Sequence, residues 1–241
     1  MKQPALPRRT LPAGLPDTHL DLGCGKYPRN PYDQKRLFGV DIRELPPTEG
    51  FESRAANLAL DPIPYPDGMF GSVSAFDFIE HIPRVLAVPD ERRTVLPFIT
   101  LMNEIWRVLA PGGRLYAVTP AYPMAEAFQD PTHVNIITER THEYFCGPRP
   151  FGAIYGFEGR FELLRSQWIR HHNLDFTGPE KEAEREALRQ AEARRRQPAR
   201  WIAYNLRESL RFVRGKRRWT LDQDRTAHLL WEFVAVKDTV R

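Results

Sequence analysis

Two stretches in the middle of this 241-residue chain carry side chains that can move a proton or hold a cation. The first is Asp77-Phe78-Ile79-Glu80-His81. If a helical turn begins at Asp77, then Asp77, Glu80 and His81 stand at i, i+3 and i+4 and project together. Two carboxylates and an imidazole suit Mg²⁺ or another divalent cation. The second is Phe128-Gln129-Asp130-Pro131-Thr132-His133-Val134-Asn135, whose His133 would be a fourth ligand or a general base. His81 is the other candidate for the base. The plainer alternatives are a Glu-His pair that caps and orients a helix and a loop histidine bonded to backbone.

A third stretch is suited to holding a ligand. His19-Leu20-Asp21-Leu22-Gly23-Cys24-Gly25-Lys26 reads as a strand running into a glycine turn, and Val40-Asp41 as a second strand tip ending in an acid. Gly23 and Gly25 let the backbone turn tightly and approach a ligand. Asp41 follows Asp21 by twenty residues, where the second strand of a βαβ unit offers a carboxylate to ribose hydroxyls. A dinucleotide fingerprint needs a third glycine, and Lys26, Tyr27 and Pro28 follow instead. An acid two residues before the glycine pair suits a cofactor with a cationic amino-acid end. That points to S-adenosylmethionine (SAM) rather than a nicotinamide dinucleotide. Cys24, inside the turn, reads as a small packing residue.

These groups need a sheet to position them. Strands are expected at Thr18–Leu22, Arg36–Asp41, Arg54–Leu58, Ser72–Phe78, Arg114–Thr119, Phe161–Ile169 and Leu229–Val236. A helix is expected over Glu91–Leu109, with Leu96, Ile99, Met102, Ile105, Trp106 and Leu109 near helical spacing and Pro111-Gly112-Gly113 as its stop. Strands alternating with helices indicate an α/β fold with a doubly wound, mainly parallel seven-stranded sheet. Ligands of such sheets bind outside the carboxyl ends of the strands. Asp21, Asp41, Asn57 and Asp77 all fall at such ends, with Ile42, Leu58 and Phe76 beside them.

The sequence resembles the class I SAM-dependent methyltransferases, in particular the broad type 11-like group with a Glu-His pair after the fourth strand. Leu20-Asp21-Leu22-Gly23-Cys24-Gly25, Gly39-Val40-Asp41, Asn57-Leu58, Pro62-Ile63-Pro64-Tyr65-Pro66-Asp67-Gly68-Met69-Phe70, Phe78-Ile79-Glu80-His81-Ile82 and Glu104-Ile105-Trp106-Arg107-Val108-Leu109-Ala110-Pro111-Gly112-Gly113 carry the resemblance. It implies a Rossmann-like methyltransferase fold. Asp21 and the Gly23, Cys24, Gly25 turn would meet the methionine end of SAM, Asp41 the ribose, and Asn57 and Leu58 the adenine, with Ile42, Phe76 and Asp77 also among the cofactor-binding residues. Asn57 stands where the group usually has Asp, and Gly71 where it usually has Asp. The Asp77, Glu80, His81 and His133 set resembles metal-dependent ubiquinone-pathway and small-RNA 3′-end 2′-O-methyltransferases, with Asp77 in place of a longer Glu. The Asp130-Pro131-Thr132-His133 loop, with Thr138 and Tyr144-Phe145, is similar to glycan methyltransferases of bacterial polysaccharide clusters. The resemblance therefore implies methyl transfer to a hydroxyl of a saccharide, such as a lipid-linked or surface-polysaccharide glycan. Three alternatives stay open: an RNA ribose 2′-O-methyltransferase, a phenol or quinone O-methyltransferase, and a catalytically silent SAM-binding scaffold.

The remainder of the chain bears on partners. Cys24 and Cys146 give no disulfide framework or paired-cysteine metal site, so a reducing cytoplasm is expected. Twenty-two prolines, about twice the usual ~5% share, suggest long ordered loops. Residues 1–17 read as a flexible proline-rich arm and residues 18–241 as the methyltransferase domain, with a basic helical insert over 178–226 before the last strand. Between Gly178 and Thr220, thirteen Lys and Arg face six Asp and Glu, while the whole chain is only +4. Arg200, Arg207, Arg211, Arg214 and Arg218 would share one helical face, with Ile202, Leu206, Leu210 and Val213 opposite. Such a helix over 200–218 packs on its own domain or a partner subunit, lies peripherally on the inner face of an anionic membrane, or, less favoured, tracks nucleic-acid phosphates. His171-His172 and His142 read as surface and helix-face residues.

Overall fold

The computed structural model describes residues 9–88, 90, 92–169 and 227–237. The basic segment 178–226, its expected helix over 200–218, and His171-His172 lie outside the described residues. Among the described residues, nine strands and two α-helices follow one another: β1 (Thr18–Leu22), β2 (Arg36–Asp41), β3 (Phe51–Ala55), β4 (Phe70–Phe76), β5 (Leu86–Val88), β6 (Arg93–Val95), α1 (Pro97–Val108), β7 (Leu109–Pro120), α2 (Glu126–Gln129), β8 (Phe161–Ile169) and β9 (His228–Ala235). Seven strands form one sheet in the order β3-β2-β1-β4-β7-β9-β8. The first five run parallel, and β9 pairs antiparallel with both β7 and β8. β5 and β6 make a separate hairpin.

Several sequence expectations shift. β3 lies three residues earlier than expected, so Asn57 and Leu58 fall in the turn beyond it rather than in the strand. The amino-terminal part of the expected helix is strand β6, and α1 starts at Pro97, whose ring suits the first helical position. The helix ends at Val108, before Pro111-Gly112-Gly113. That tripeptide is instead part of β7, where the pairing register with β4 breaks between Phe70 and Ser72. The crossovers from β1 to β2, β2 to β3 and β3 to β4 contain no α-helix, so loops connect these strands.

The two faces of the sheet differ in chemistry. Strand alternation puts Leu20 beside Val73, Leu115 and Phe233, and Leu22 beside Ala75, Ala117 and Trp231. These residues are buried, and with Phe98, Leu101, Met102, Ile105 and Val108 of α1 they form the apolar core. The opposite face aligns His19 and Asp21 with Ser72 and Ser74, then Arg114 and Tyr116, then Glu232 and Arg165. Its cover is the chain before β1 and the β1–β2 connection. Arg9 pairs with Glu232, and Tyr32 donates to Glu232 Oε1 at 2.8 Å. Residues 9–17 of the expected flexible arm are thus docked. Gly71 makes room for them, since a Cβ there would lie 2.1 Å from the Pro16 carbonyl oxygen.

Candidate functional site

The carboxyl ends of β1, β2 and β4 lie side by side, with Leu22 opposite Val40 and Ala75. The chain leaves β1 through Gly23 and Gly25, with φ of 66° and 54°, left-handed values that glycine takes without penalty. The Gly23 and Cys24 amides donate to the Val40 carbonyl at 2.8 and 3.2 Å. The Gly25 amide donates to Asp41 Oδ2 at 3.0 Å, which ties the glycine turn to the acid at the tip of β2. Arg43 also grips Asp41, through Nε at 2.9 Å and its backbone amide at 3.0 Å. Burial alone would raise the Asp41 pKa, but the bonds from Arg43 and Gly25 hold it below the ordinary value. Ile42 beside it is an exposed apolar side chain. Asn57 Oδ1 accepts from the Ala59 amide at 3.2 Å, and Leu58 is buried in the core beneath that turn. Burial pushes the Cys24 thiol up to about 12, so it stays protonated and packs rather than reacts.

Asp21 is held by a network that sequence reasoning did not find. Ser74 donates to Asp21 Oδ1 at 2.6 Å, and the Arg29 amide donates to Oδ2 at 2.8 Å. His19 lies fully buried between Ser72 and Ser74, with Nδ1 2.7 Å from Ser72 Oγ and Nε2 2.8 Å from Ser74 Oγ. Burial pushes the His19 pKa down to about 3, so the ring is neutral. Since Ser74 gives its one proton to Asp21, His19 Nε2–H donates to Ser74, and Nδ1 accepts from Ser72. The chain of protons runs in one direction and ends on the Asp21 carboxylate. The sequence signal was the alternation of His19 and Asp21 on β1 with Ser72 and Ser74 on β4.

The second cluster follows β4. Phe76 is buried and its carbonyl accepts from Arg29 at 2.8 Å. Asp77 turns the chain with φ 48°, and its Oδ1 lies 3.4 Å from His228 Nε2. The helical turn, of 3₁₀ type, then spans Ile79–His81, two residues later than the spacing argument required. Glu80, His81 and His133 come together, with ligand atoms within 4.8 Å of one another; Asp77 is outside that group. The turn that would align Asp77 with Glu80 and His81 begins two residues after it, at Ile79.

The loop carrying His133 is stitched onto this turn. The Val134 and Asn135 amides both donate to the Glu80 carbonyl at 2.9 Å, and Asn135 Nδ2 donates to the Ile79 carbonyl at 3.0 Å. The His81 and His133 rings stand edge to face, 4.8 Å apart. Thr132 Oγ1 donates to Asp130 Oδ1 at 2.7 Å and lies 3.0 Å from His81 Nδ1. The bonds from Thr132 hold the Asp130 carboxyl below its usual pKa range. As an ionised acid accepts only, the threonine proton goes to Asp130, and the hydroxyl accepts from His81 Nδ1–H. In that tautomer the ring's lone pair is on Nε2.

Glu80 is almost completely buried. Its Oε2 accepts from Thr119 at 2.9 Å, its Oε1 is 4.0 Å from His133 Nε2, and burial pushes its pKa up to about 8. Glu80 Oε1 and His133 Nδ1 have no hydrogen-bond partner. A buried carboxylate oxygen without a donor and two imidazoles fit a small divalent cation, whose ligand bonds of roughly 2.1 Å span nearly this separation. His142 lies in another 3₁₀ turn, with Nδ1 2.6 Å from the Glu139 carbonyl oxygen, outside this cluster.

Over 94% of its length the chain superposes, with a TM-score of 0.51 and 14% identity, on 86% of a chain from a complex between the Haloferax volcanii Trm112 methyltransferase activator and a methyltransferase. The fold is that of the class I SAM-dependent methyltransferases. A SAM-dependent methyltransferase from Mesorhizobium loti is also similar, at 13% identity and a TM-score of 0.44, over 95% of this chain and 94% of that one. No family model and no curated protein matches the sequence. In this methyltransferase fold, the Asp21 and Asp41 turns and the Glu80, His81, His133 cluster occupy the strand ends where open α/β sheets bind ligands. No helix among the described residues is long and apolar enough to cross a membrane.

Proposed function

We propose that the protein is a SAM-dependent O-methyltransferase that acts on a hydroxyl of a saccharide, with a lipid-linked or surface-polysaccharide glycan as acceptor. The observation that carries the methylation chemistry is the Asp130–Thr132–His81 chain, which orients Nε2 as a proton acceptor beside His133 and Glu80. A sugar hydroxyl is a weak nucleophile near neutral pH and needs such a base. In the step, the acceptor oxygen attacks the methyl carbon in line as the carbon–sulfur bond breaks. The hydroxyl proton passes to His81 Nε2, and S-adenosylhomocysteine departs. Asp21 takes the ammonium of the cofactor, the Gly23–Gly25 turn its methionine backbone, and Asp41 its ribose.

Glu80, His81 and His133 would alternatively hold Mg²⁺ or a similar ion; His81 Nε2 would then be a ligand, and the ion, by lowering the pKa of the acceptor hydroxyl, would take the place of the base and release the proton to solvent. Tyr122 and Phe128, exposed and edge to face at 6.5 Å, lie in the stretch between β7 and the His133 loop and offer apolar surface to a sugar ring. The proposed location is cytoplasmic, with the 200–218 segment contacting the inner membrane face where a lipid-linked acceptor would lie. The test is transfer of labelled methyl from SAM into lipid-linked glycan, RNA and small-molecule fractions of cell extract, with and without chelator. Label in the glycan fraction is expected, and its loss on chelation supports the cation. Label in RNA alone would replace the saccharide reading with ribose 2′-O-methylation.

A further inference from the structure

We propose that Arg29 binds the α-carboxylate of SAM, opposite Asp21, which takes the ammonium; this rests on the cofactor reading above. The methionine end of SAM is a zwitterion. A site offering only the Asp21 carboxylate would hold the ammonium while repelling the carboxylate on the same carbon. The cation that answers it must sit next to Asp21 at the strand ends.

Arg29 is placed there by two independent anchors. Its backbone amide donates to Asp21 Oδ2 at 2.8 Å, so the residue is tied to the acid itself. Its side-chain NH1 donates at 2.8 Å to the carbonyl of Phe76, the last residue of β4, and the guanidinium lies 5.0 Å from the Phe76 ring centroid. The group therefore bridges from the loop after β1 to the end of β4. Its charge is felt both by the Cys24 thiol in the glycine turn and by the Glu80 carboxyl in the catalytic cluster, which brackets the space between them. Two other basic side chains near the turn are committed elsewhere: Arg43 is bonded to Asp41, and exposed Lys26 lies over the Tyr27 ring at 5.4 Å. A guanidinium presents five donors in a planar fork, a geometry that matches a carboxylate while still holding a backbone carbonyl.

The experiment is calorimetric titration of the full chain with SAM and with decarboxylated SAM, which keeps the sulfonium, the adenosine and the amine but lacks the carboxylate. The wild-type protein is expected to bind SAM roughly ten- to hundredfold tighter, the range for hydrogen bonds to a charged group. Arg29→Gln, which can still donate to the Phe76 carbonyl, is expected to abolish that preference by weakening SAM alone, and Arg29→Lys to restore part of it. The backbone bond to Asp21 survives either change. If wild type binds the two ligands equally, the proposal is overturned whatever the variants do. If Arg29→Gln weakens both ligands by the same factor, Arg29 supports the fold rather than the carboxylate, and the proposal is again overturned. Failure of wild type to bind SAM at all would remove the cofactor reading, and this assignment with it.

Discussion

The protein contains two histidine–carboxylate clusters at neighbouring strand ends, and they are built on opposite plans. In the first, Ser72, His19, Ser74 and Asp21 form a closed chain, with both imidazole nitrogens and both Asp21 oxygens engaged. In the second, Asp130 and Thr132 fix one nitrogen of His81, while Glu80 Oε1 and His133 Nδ1 are buried without a hydrogen-bond partner. An unsatisfied buried polar atom costs about 1–3 kcal/mol, so proteins keep few of them. The difference teaches a division of labour. A network whose members are all engaged has one arrangement, which would suit a carboxylate proposed to meet the cofactor ammonium through its remaining lone pairs in a fixed geometry. An unsaturated one has donor and acceptor capacity left for the groups that react.

Changes that break this division should separate binding from turnover. The largest effect is expected from His81→Ala, which lowers turnover roughly 10²–10⁴-fold with SAM affinity intact, as measured by labelled methyl transfer beside calorimetry. A variant that loses SAM binding and turnover together would erase the contrast between the clusters. Next is the cation. Mg²⁺ or Mn²⁺ at about 100 times its Kd should stabilise the protein by about 2.7 kcal/mol in thermal melts. His133→Ala should remove the gain, and Asp77→Asn, which tolerates a left-handed backbone, should retain it. A melt unmoved by either ion would leave the open cluster to proton transfer alone.

The closed cluster has its own signature in pH. The folded-state pKa of His19, about 3, lies below the ordinary histidine value of 6.5, so between those values the unfolded chain binds more protons. Stability from this group is complete above pH 6.5 and is lost as pH falls toward 3, by at most about 1.4 kcal/mol per pH unit. Urea unfolding between pH 7 and 5 should show the slope, and His19→Gln should flatten it. The smallest effect is that of Ser74→Ala, which removes one donor from Asp21. SAM should bind roughly tenfold more weakly, with turnover at saturating SAM unchanged. A fall in turnover instead would mean that the two clusters work as one.

Much of the sheet was legible in the chain. β1, β2 and β8 occur at their expected bounds, and the glycine turn with Asp21 and Asp41 forms as the spacing predicted. A strand buried on both faces, as β1 is, leaves a continuous short run bounded by turn residues, the edge strand β8 leaves an alternating one, and left-handed turns favour glycine, so all three leave local marks. The general alternation of strands with helices did not show that loops connect β1 to β4, because loops and the segment before β1 cover that polar face through contacts far apart in sequence, such as Arg9 with Glu232.

The cluster of Glu80, His81 and His133 shows the same boundary. Residue type and order alone placed Glu80, His81 and His133 among the candidates, because carboxylates and imidazoles are the side chains able to hold a cation or take a proton near neutral pH. Only the tertiary structure decided that Asp77 stands apart, that Thr132 and Asp130 orient His81, and that His19 and Ser74 brace Asp21. Those pairings join residues about fifty positions apart. Spacing along a chain reports the period of one helix or strand, whereas a hydrogen bond between elements depends on the register in which the sheet and its loops pack.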